Sequence, residues 1–142
     1  GYRFTLDIYG DADEGKEGYV EKCKQTTKAL QEKGIVNFHG PVLNEQTPEI
    51  YHSHDIFVNL TPAGNYDKTV LEAMACGDLV ISSSPAFSDI VPEKLRPAEE
   101  DPDDLAAKLK TALEMPQEEY KQLTSEFCQY TREKHRLSLL IE

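Results

Sequence analysis

An α/β fold with a mostly parallel sheet is predicted by two features of this chain. Strand-like and helix-like segments alternate from one end to the other. Two apolar runs, Asp55-Ile56-Phe57-Val58-Asn59-Leu60 and Leu79-Val80-Ile81-Ser82, are joined by a polar loop and a short helical run, Val70-Leu71-Glu72-Ala73-Met74-Ala75-Cys76, which is one βαβ unit. Together these features predict a Rossmann-like arrangement with helices on both faces of the sheet. The dinucleotide fingerprint Gly-x-Gly-x-x-Gly occurs nowhere, and Gly15-x-x-Gly18 alone is too weak to replace it.

The elements follow in order. Arg3 to Tyr9 alternates, with Phe4, Leu6 and Ile8 on one side, and predicts a strand. Gly10 to Gly18 is an acidic loop. Tyr19 to Lys33 predicts a helix with an inward stripe of Val20, Cys23, Thr27 and Leu30, ended by Gly34. Ile35 to His39 predicts a strand and Gly40 to Thr47 a loop. Pro48 suits the first turn of a short helix capped by Thr47 and ending near His54. After the βαβ unit, Ala86 to Val91 predicts a short helix, and Glu93 to Glu100 an irregular connection around Leu95. Asp101-Pro102 opens a helix with acids in its first turn and a stripe of Leu105, Leu109, Ala112 and Leu113, broken by Pro116. A last helix runs from Gln117 to about His135, with Tyr120, Leu123, Phe127 and Tyr130 inward, and the tail Leu137 to Ile141 is apolar.

With 142 residues the chain has room for one domain with a real core. Its net charge of −11 argues against nucleic acid as a partner, because phosphate contacts need clustered Lys and Arg. No apolar run approaches the roughly 20 residues of a transmembrane helix. The three cysteines, Cys23, Cys76 and Cys128, are odd in number and widely spaced, which suits core or half-buried thiols in a reducing compartment. Asn59-Leu60-Thr61 is a formal glycosylation triplet, but at a strand end that is expected to be buried. Asp11-Ala12-Asp13-Glu14-Gly15 resembles a calcium loop only superficially, since its glycine falls at position five rather than six. His52-x-His54 has metal-like spacing but no third ligand, so no metal is expected.

The chemistry is expected in the βαβ unit. The segment Thr61 to Tyr66 leaves the end of a strand and feeds a helix N-terminus, where unpaired N–H groups and the helix dipole favour an anion. Gly64 permits close approach to the backbone, and Asp67 is a good N-cap residue. Lys68 and Thr69 add side-chain donors, and Lys68 is the local cation. On the helix, Thr69, Glu72 and Cys76 share one face, while Val70, Ala73, Met74 and Gly77 lie on another. Glu72 is the lone acid in an apolar helix. It requires hydrogen-bond donors or solvent.

The stretch Gly64-Asn65-Tyr66-Asp67-Lys68-Thr69-Val70-Leu71-Glu72-Ala73-Met74-Ala75-Cys76-Gly77 resembles the donor-binding motif in the C-terminal domain of group 1 glycosyltransferases with the GT-B fold. The family pattern is Glu-x-Phe-Gly-x-x-x-x-Glu-Ala-Met-Ala-x-Gly, followed by Pro-Val-Ile. Leu71 to Gly77 match it, Leu79-Val80-Ile81 follow in register, and the resemblance extends more loosely through Asn37 to Val42, Tyr51, Asp55 to Val58 and Asp104 to Ala106. The resemblance implies one half of a GT-B enzyme: a single domain over residues 1–142, a fragment lacking its first βα unit and the N-terminal acceptor domain. The apolar tail would then pack on that missing partner.

It implies a retaining transferase that moves a hexose-type sugar from a nucleotide sugar such as a UDP- or GDP-sugar to a glycan or lipid-linked acceptor. No cofactor or metal is implied, and the location would be cytoplasmic, free or at the membrane surface. Glu72 is implied to hold the ribose and the loop at Pro41-Val42 the base, with Asn65 to Lys68 on the sugar and phosphates and Lys68 and Thr69 adding side-chain contacts. Gly64 stands where the family has its first Glu, so the contact to the transferred sugar departs from the pattern, with Asp67 as the nearest replacement. The family's basic Gly-Arg-Leu…Lys-Gly segment has no counterpart here. Without the acceptor half this chain alone is expected to be inactive, and no catalytic residue is assigned within it. A GT-B nucleotide-sugar epimerase and a non-catalytic flavodoxin-like binding module are the alternatives.

Overall fold

The computed structural model describes residues 1–62 and 67–134. The chain forms two compact units, Gly1–Thr47 and Pro48–Glu142, and each is an α/β assembly with parallel strand pairing. The expected apolar tail lies outside the described residues.

In the first unit, β1 (Leu6–Tyr9) pairs in parallel with β2 (Val36–Gly40), through Leu6↔Val36, Asp7↔Asn37 and Ile8↔Phe38. The strand is shorter than its alternation suggests. Pairing starts where β2 supplies a partner, and Leu6 N–H donates to Ile35 O at 2.7 Å. Tyr2, Phe4 and Leu6 are exposed rather than inward. The crossover is two helices, α1 (Glu17–Thr26) and α2 (Lys28–Glu32), where the sequence suggests one. Thr27 interrupts it: its hydroxyl donates to Cys23 O at 2.8 Å, and the Gln31 amide reaches back to Lys24 O at 2.6 Å. Such side-chain bonds compete with the helical ladder. Of the expected stripe, Val20, Cys23 and Thr27 are half-buried, whereas Leu30 is exposed.

The second unit carries the main core. A 3₁₀ turn at Asn44–Gln46 leads into α3 (Thr47–His52), so Thr47 is the first helical residue rather than the cap; its hydroxyl donates to Asn44 O at 2.8 Å. Next come β3 (Ile56–Asn59), α4 (Lys68–Cys76) and β4 (Leu79–Ser82), the expected βαβ unit, with Ile56↔Leu79 through Asn59↔Ser82 in parallel register. Every residue of β4 is buried, as a strand covered on both faces requires. The region expected to hold a short helix contains a 3₁₀ turn at Pro85–Phe87, capped by Ser84, and a second follows at Glu93–Leu95. They bury Phe87 and Leu95 completely, and Val91 between them is buried as well. The helix α5 (Pro102–Leu113) starts as expected, with the Asp101 carboxylate accepting from Asp104 N–H at 2.9 Å. The helix α6 (Gln117–Lys134) packs on α4 and turns Thr124, Phe127 and Thr131 inward, with Tyr120, Leu123 and Tyr130 half-buried beside them. Val70, Ala73 and Met74 of α4, Leu79 to Ile81 of β4, Phe87, Leu95 and Phe127 form one cluster.

Candidate functional site

The helix α4 is specified locally. Asp67 caps its start, and Gly77 ends it in the left-handed conformation (φ 93°), which glycine adopts without a Cβ penalty. Val70, Ala73 and Met74 are fully buried at helical spacing, which leaves Thr69 and Glu72 on the exposed face, as the periodicity requires.

Asp67 does more than cap. Its Oδ1 accepts from Thr69 N–H at 3.0 Å and from the Thr69 hydroxyl at 2.6 Å. Its Oδ2 accepts from the Asn59 amide at 2.8 Å and the Thr61 hydroxyl at 3.0 Å. Burial raises its pKa, but the bonds from the Thr69 hydroxyl, Thr69 N–H, Thr61 and Asn59 outweigh it, and the carboxyl lies below its ordinary value. The network continues into β4, where Ser82 donates to Asn59 Oδ1 at 3.3 Å and accepts from Ser84 N–H at 3.2 Å. One carboxylate thus fastens both ends of the loop between β3 and α4. Gly64, Asn65 and Tyr66 lie outside the described residues; Lys68 and Thr69 are exposed at the helix start. Replacing Asp67 with alanine is expected to cost about 2 kcal/mol, because a cap is lost and the buried Asn59 amide loses an acceptor. Urea unfolding measures this, and a loss under about 0.5 kcal/mol, the range of an ordinary surface change, would contradict the role.

Glu72 finds a partner that the sequence did not announce. Tyr51 Oη, from α3, donates to Glu72 Oε2 at 3.1 Å. Tyr51 is only 9% exposed, and its ring stands edge-on to Phe57 with centroids 5.7 Å apart. Burial, then the neighbouring Glu72 carboxylate, pushes the phenol well above its ordinary pKa, so it stays a donor. Sequence reasoning gave no role to Asn59, placed Tyr51 only within the looser resemblance, and took Thr61 only as the first residue of the loop. The Asn59-Leu60-Thr61 triplet carried the usable signal: polar residues at the end of an apolar strand, within reach of a helix cap. Asn59 is 6% exposed, and its amide is occupied by Thr61 and Asp67.

In the first unit, β2 ends at Gly40, whose positive φ of 75° turns the chain into Pro41. Pro41 and Val42 are exposed. Beside them on the strands, Asp7 Oδ1 meets His39 Nε2 at 2.6 Å and accepts from the Asn37 amide at 3.3 Å, while Tyr9 stacks on His39 at 4.5 Å. Pro41-Val42 and Glu72 belong to different units.

The features set aside in the sequence have ordinary explanations. His54 Nδ1 contacts Ile50 O at 2.7 Å, at the end of α3. The three cysteines are half-buried free thiols. Burial, then Asp78 and Glu72, raises the pKa of Cys76, so it is held as the thiol. A surface groove of about 550 Å³ between Gly77 and α6 is lined by Lys121, Thr124 and Arg132 among others, at the end of α4 opposite Asp67. Among the described residues no helix is long and apolar enough to cross a membrane.

A family model described as "Glycosyl transferases group 1" matches residues 2–115. Two crystal structures of Anabaena Alr3699/HepE, one in complex with UDP and one with UDP-glucose, share the fold at a TM-score of 0.83, with 20% and 19% identity. Each match covers 96% of this chain and 38% of that chain, so this chain spans well under half the length of those proteins. No curated protein matches this sequence.

Proposed function

The chain belongs to the group 1 glycosyl transferases, and from that premise we propose that it is the donor-binding, C-terminal half of a retaining, nucleotide-sugar-dependent transferase. The donor is a nucleotide sugar, with UDP-sugars favoured by the UDP and UDP-glucose bound to Anabaena HepE. The acceptor is a glycan or a lipid-linked chain bound by an N-terminal domain, and the enzyme works in the cytoplasm, free or at the membrane surface. The observation that carries the reading is Glu72: a carboxylate on the exposed face of α4, held by a buried phenol, on the helix whose start Asp67 fastens to β3.

In this reading Glu72 accepts hydrogen bonds from the ribose hydroxyls. The segment Gly64-Asn65-Tyr66 with Lys68 and Thr69 meets the sugar and the phosphates, through backbone N–H groups at the start of α4. Asp67 contributes by holding that segment, because its own acceptor positions are taken by Thr69, Asn59 and Thr61. Pro41 and Val42 pack on the base. The acceptor hydroxyl attacks the anomeric carbon on the face from which the diphosphate departs, and the helix N-terminus disperses the charge that develops on the leaving phosphate. We assign no metal to this step. With a net charge of −11 here, the balancing cations are expected from the rest of the enzyme.

Glu72→Ala is expected to weaken binding of the nucleoside diphosphate by about 1–3 kcal/mol, the scale of hydrogen bonds to a charged group. Calorimetric titration measures it. Unchanged affinity removes Glu72 from the site.

A further inference from the structure

We propose that Tyr51 is a positioning residue for Glu72, and that the pair discriminates nucleotides with an intact ribose diol from those without one. The inference rests on the reading that Glu72 holds the ribose. A glutamate on the exposed face of a helix has several rotamers of similar energy, and fixing it on a ligand costs side-chain entropy. Here one oxygen is already engaged. Tyr51 Oη reaches Glu72 Oε2 at 3.1 Å from a side chain that is itself packed in place: 9% exposed, edge-on to Phe57, which pairs with Val80 in the strand register.

A carboxylate carries about four acceptor positions, two on each oxygen. The phenol occupies one on Oε2. This leaves Oε1 and the second position of Oε2 for two adjacent hydroxyls, so the bond selects a rotamer without consuming the capacity to hold a diol. A phenol is suited to this because it has one proton to give. Largely buried and next to a carboxylate, it gives that proton to Glu72.

The test uses the intact protein and titrates UDP, GDP and ADP, then the 2′,3′-dideoxy form of whichever binds most tightly. Tyr51→Phe keeps the ring and removes the donor. The expected result is about a 3- to 10-fold loss of affinity for the ribonucleotide, with affinity for the dideoxy form unchanged. In a Glu72→Ala background the same substitution should add no further loss. The ratio of the two affinities is the decisive quantity, since partial unfolding would lower both together. If Glu72→Ala collapses that ratio and Tyr51→Phe leaves it at the wild-type value, the positioning role is overturned while the ribose reading stands. If Glu72→Ala leaves the ratio unchanged, or no nucleotide binds, the ribose reading itself fails and takes the role of Tyr51 with it.

Discussion

Phe127→Ala is expected to destabilise the second unit by about 3–5 kcal/mol, the cost of removing a buried aromatic ring and leaving a cavity. Phe127 is fully buried on the inward stripe of α6, in the same cluster as Val70, Met74, Leu79 and Leu95. The helix α6 packs on α4, and α4 carries Glu72, so the ring also supports the candidate site. Against the roughly 5–15 kcal/mol by which domains are stable, the loss is large. Urea unfolding of the variant should show a sharply lowered midpoint. A change below about 1 kcal/mol, smaller than deleting a buried methyl group or two, would mean that the contact between α6 and α4 is not as described.

Asp78→Asn is expected to stabilise the protein above neutral pH, by about 1–3 kcal/mol once the gain is discounted for solvent and relaxation. Asp78 sits between Gly77 and β4 and is 2% exposed. Burial raises its pKa from 3.8 to about 7, His54 opposes the shift, and Asp55 adds to it. Between those two values the folded protein keeps a proton that the unfolded chain has released. Stability from this group is therefore full below about pH 4, falls as pH rises through that window, and is lost above pH 7. Asparagine cannot ionise, so its advantage should be absent near pH 4 and complete by pH 8. Asp67 acts oppositely and elsewhere on the scale: its pKa is lowered, so its contribution is lost only in acid, below the ordinary carboxylate value. Comparing wild type and Asp78→Asn at pH 5 and pH 8 isolates the effect. An identical pH dependence in both proteins would contradict it.

The parts of this molecule that were legible in sequence are those with local codes. The helix α4 announces its start with Asp67, its buried face with Val70, Ala73 and Met74, and its end with Gly77. The strand β4 shows itself as a continuous apolar run, and α5 by Asp101-Pro102. What stayed hidden depends on partners distant in the chain. The length of β1 is set by where β2 begins, so the alternation back to Arg3 overstates it. The break at Thr27 comes from side-chain bonds that compete with the helix and leave no mark in hydrophobic periodicity. The Tyr51–Glu72 bond spans 21 residues and exists only because α3 and α4 meet in the fold. The role of Asp67 was half visible: a cap can be read from sequence, but the tether to Asn59 and Thr61 needs the end of β3 brought beside the start of α4.

The claim at the centre of this account is that the chain is the donor half of a nucleotide-sugar transferase. The most direct measurement is calorimetric titration of this chain and of the intact protein with UDP, GDP, ADP and the matching nucleotide sugars. The account predicts that one nucleotide binds the intact protein with a dissociation constant in the millimolar range or tighter, about −4 kcal/mol or stronger, and that Glu72→Ala loses most of that binding. Failure of all three nucleotides to bind the intact protein, with its fold verified by circular dichroism, would contradict it.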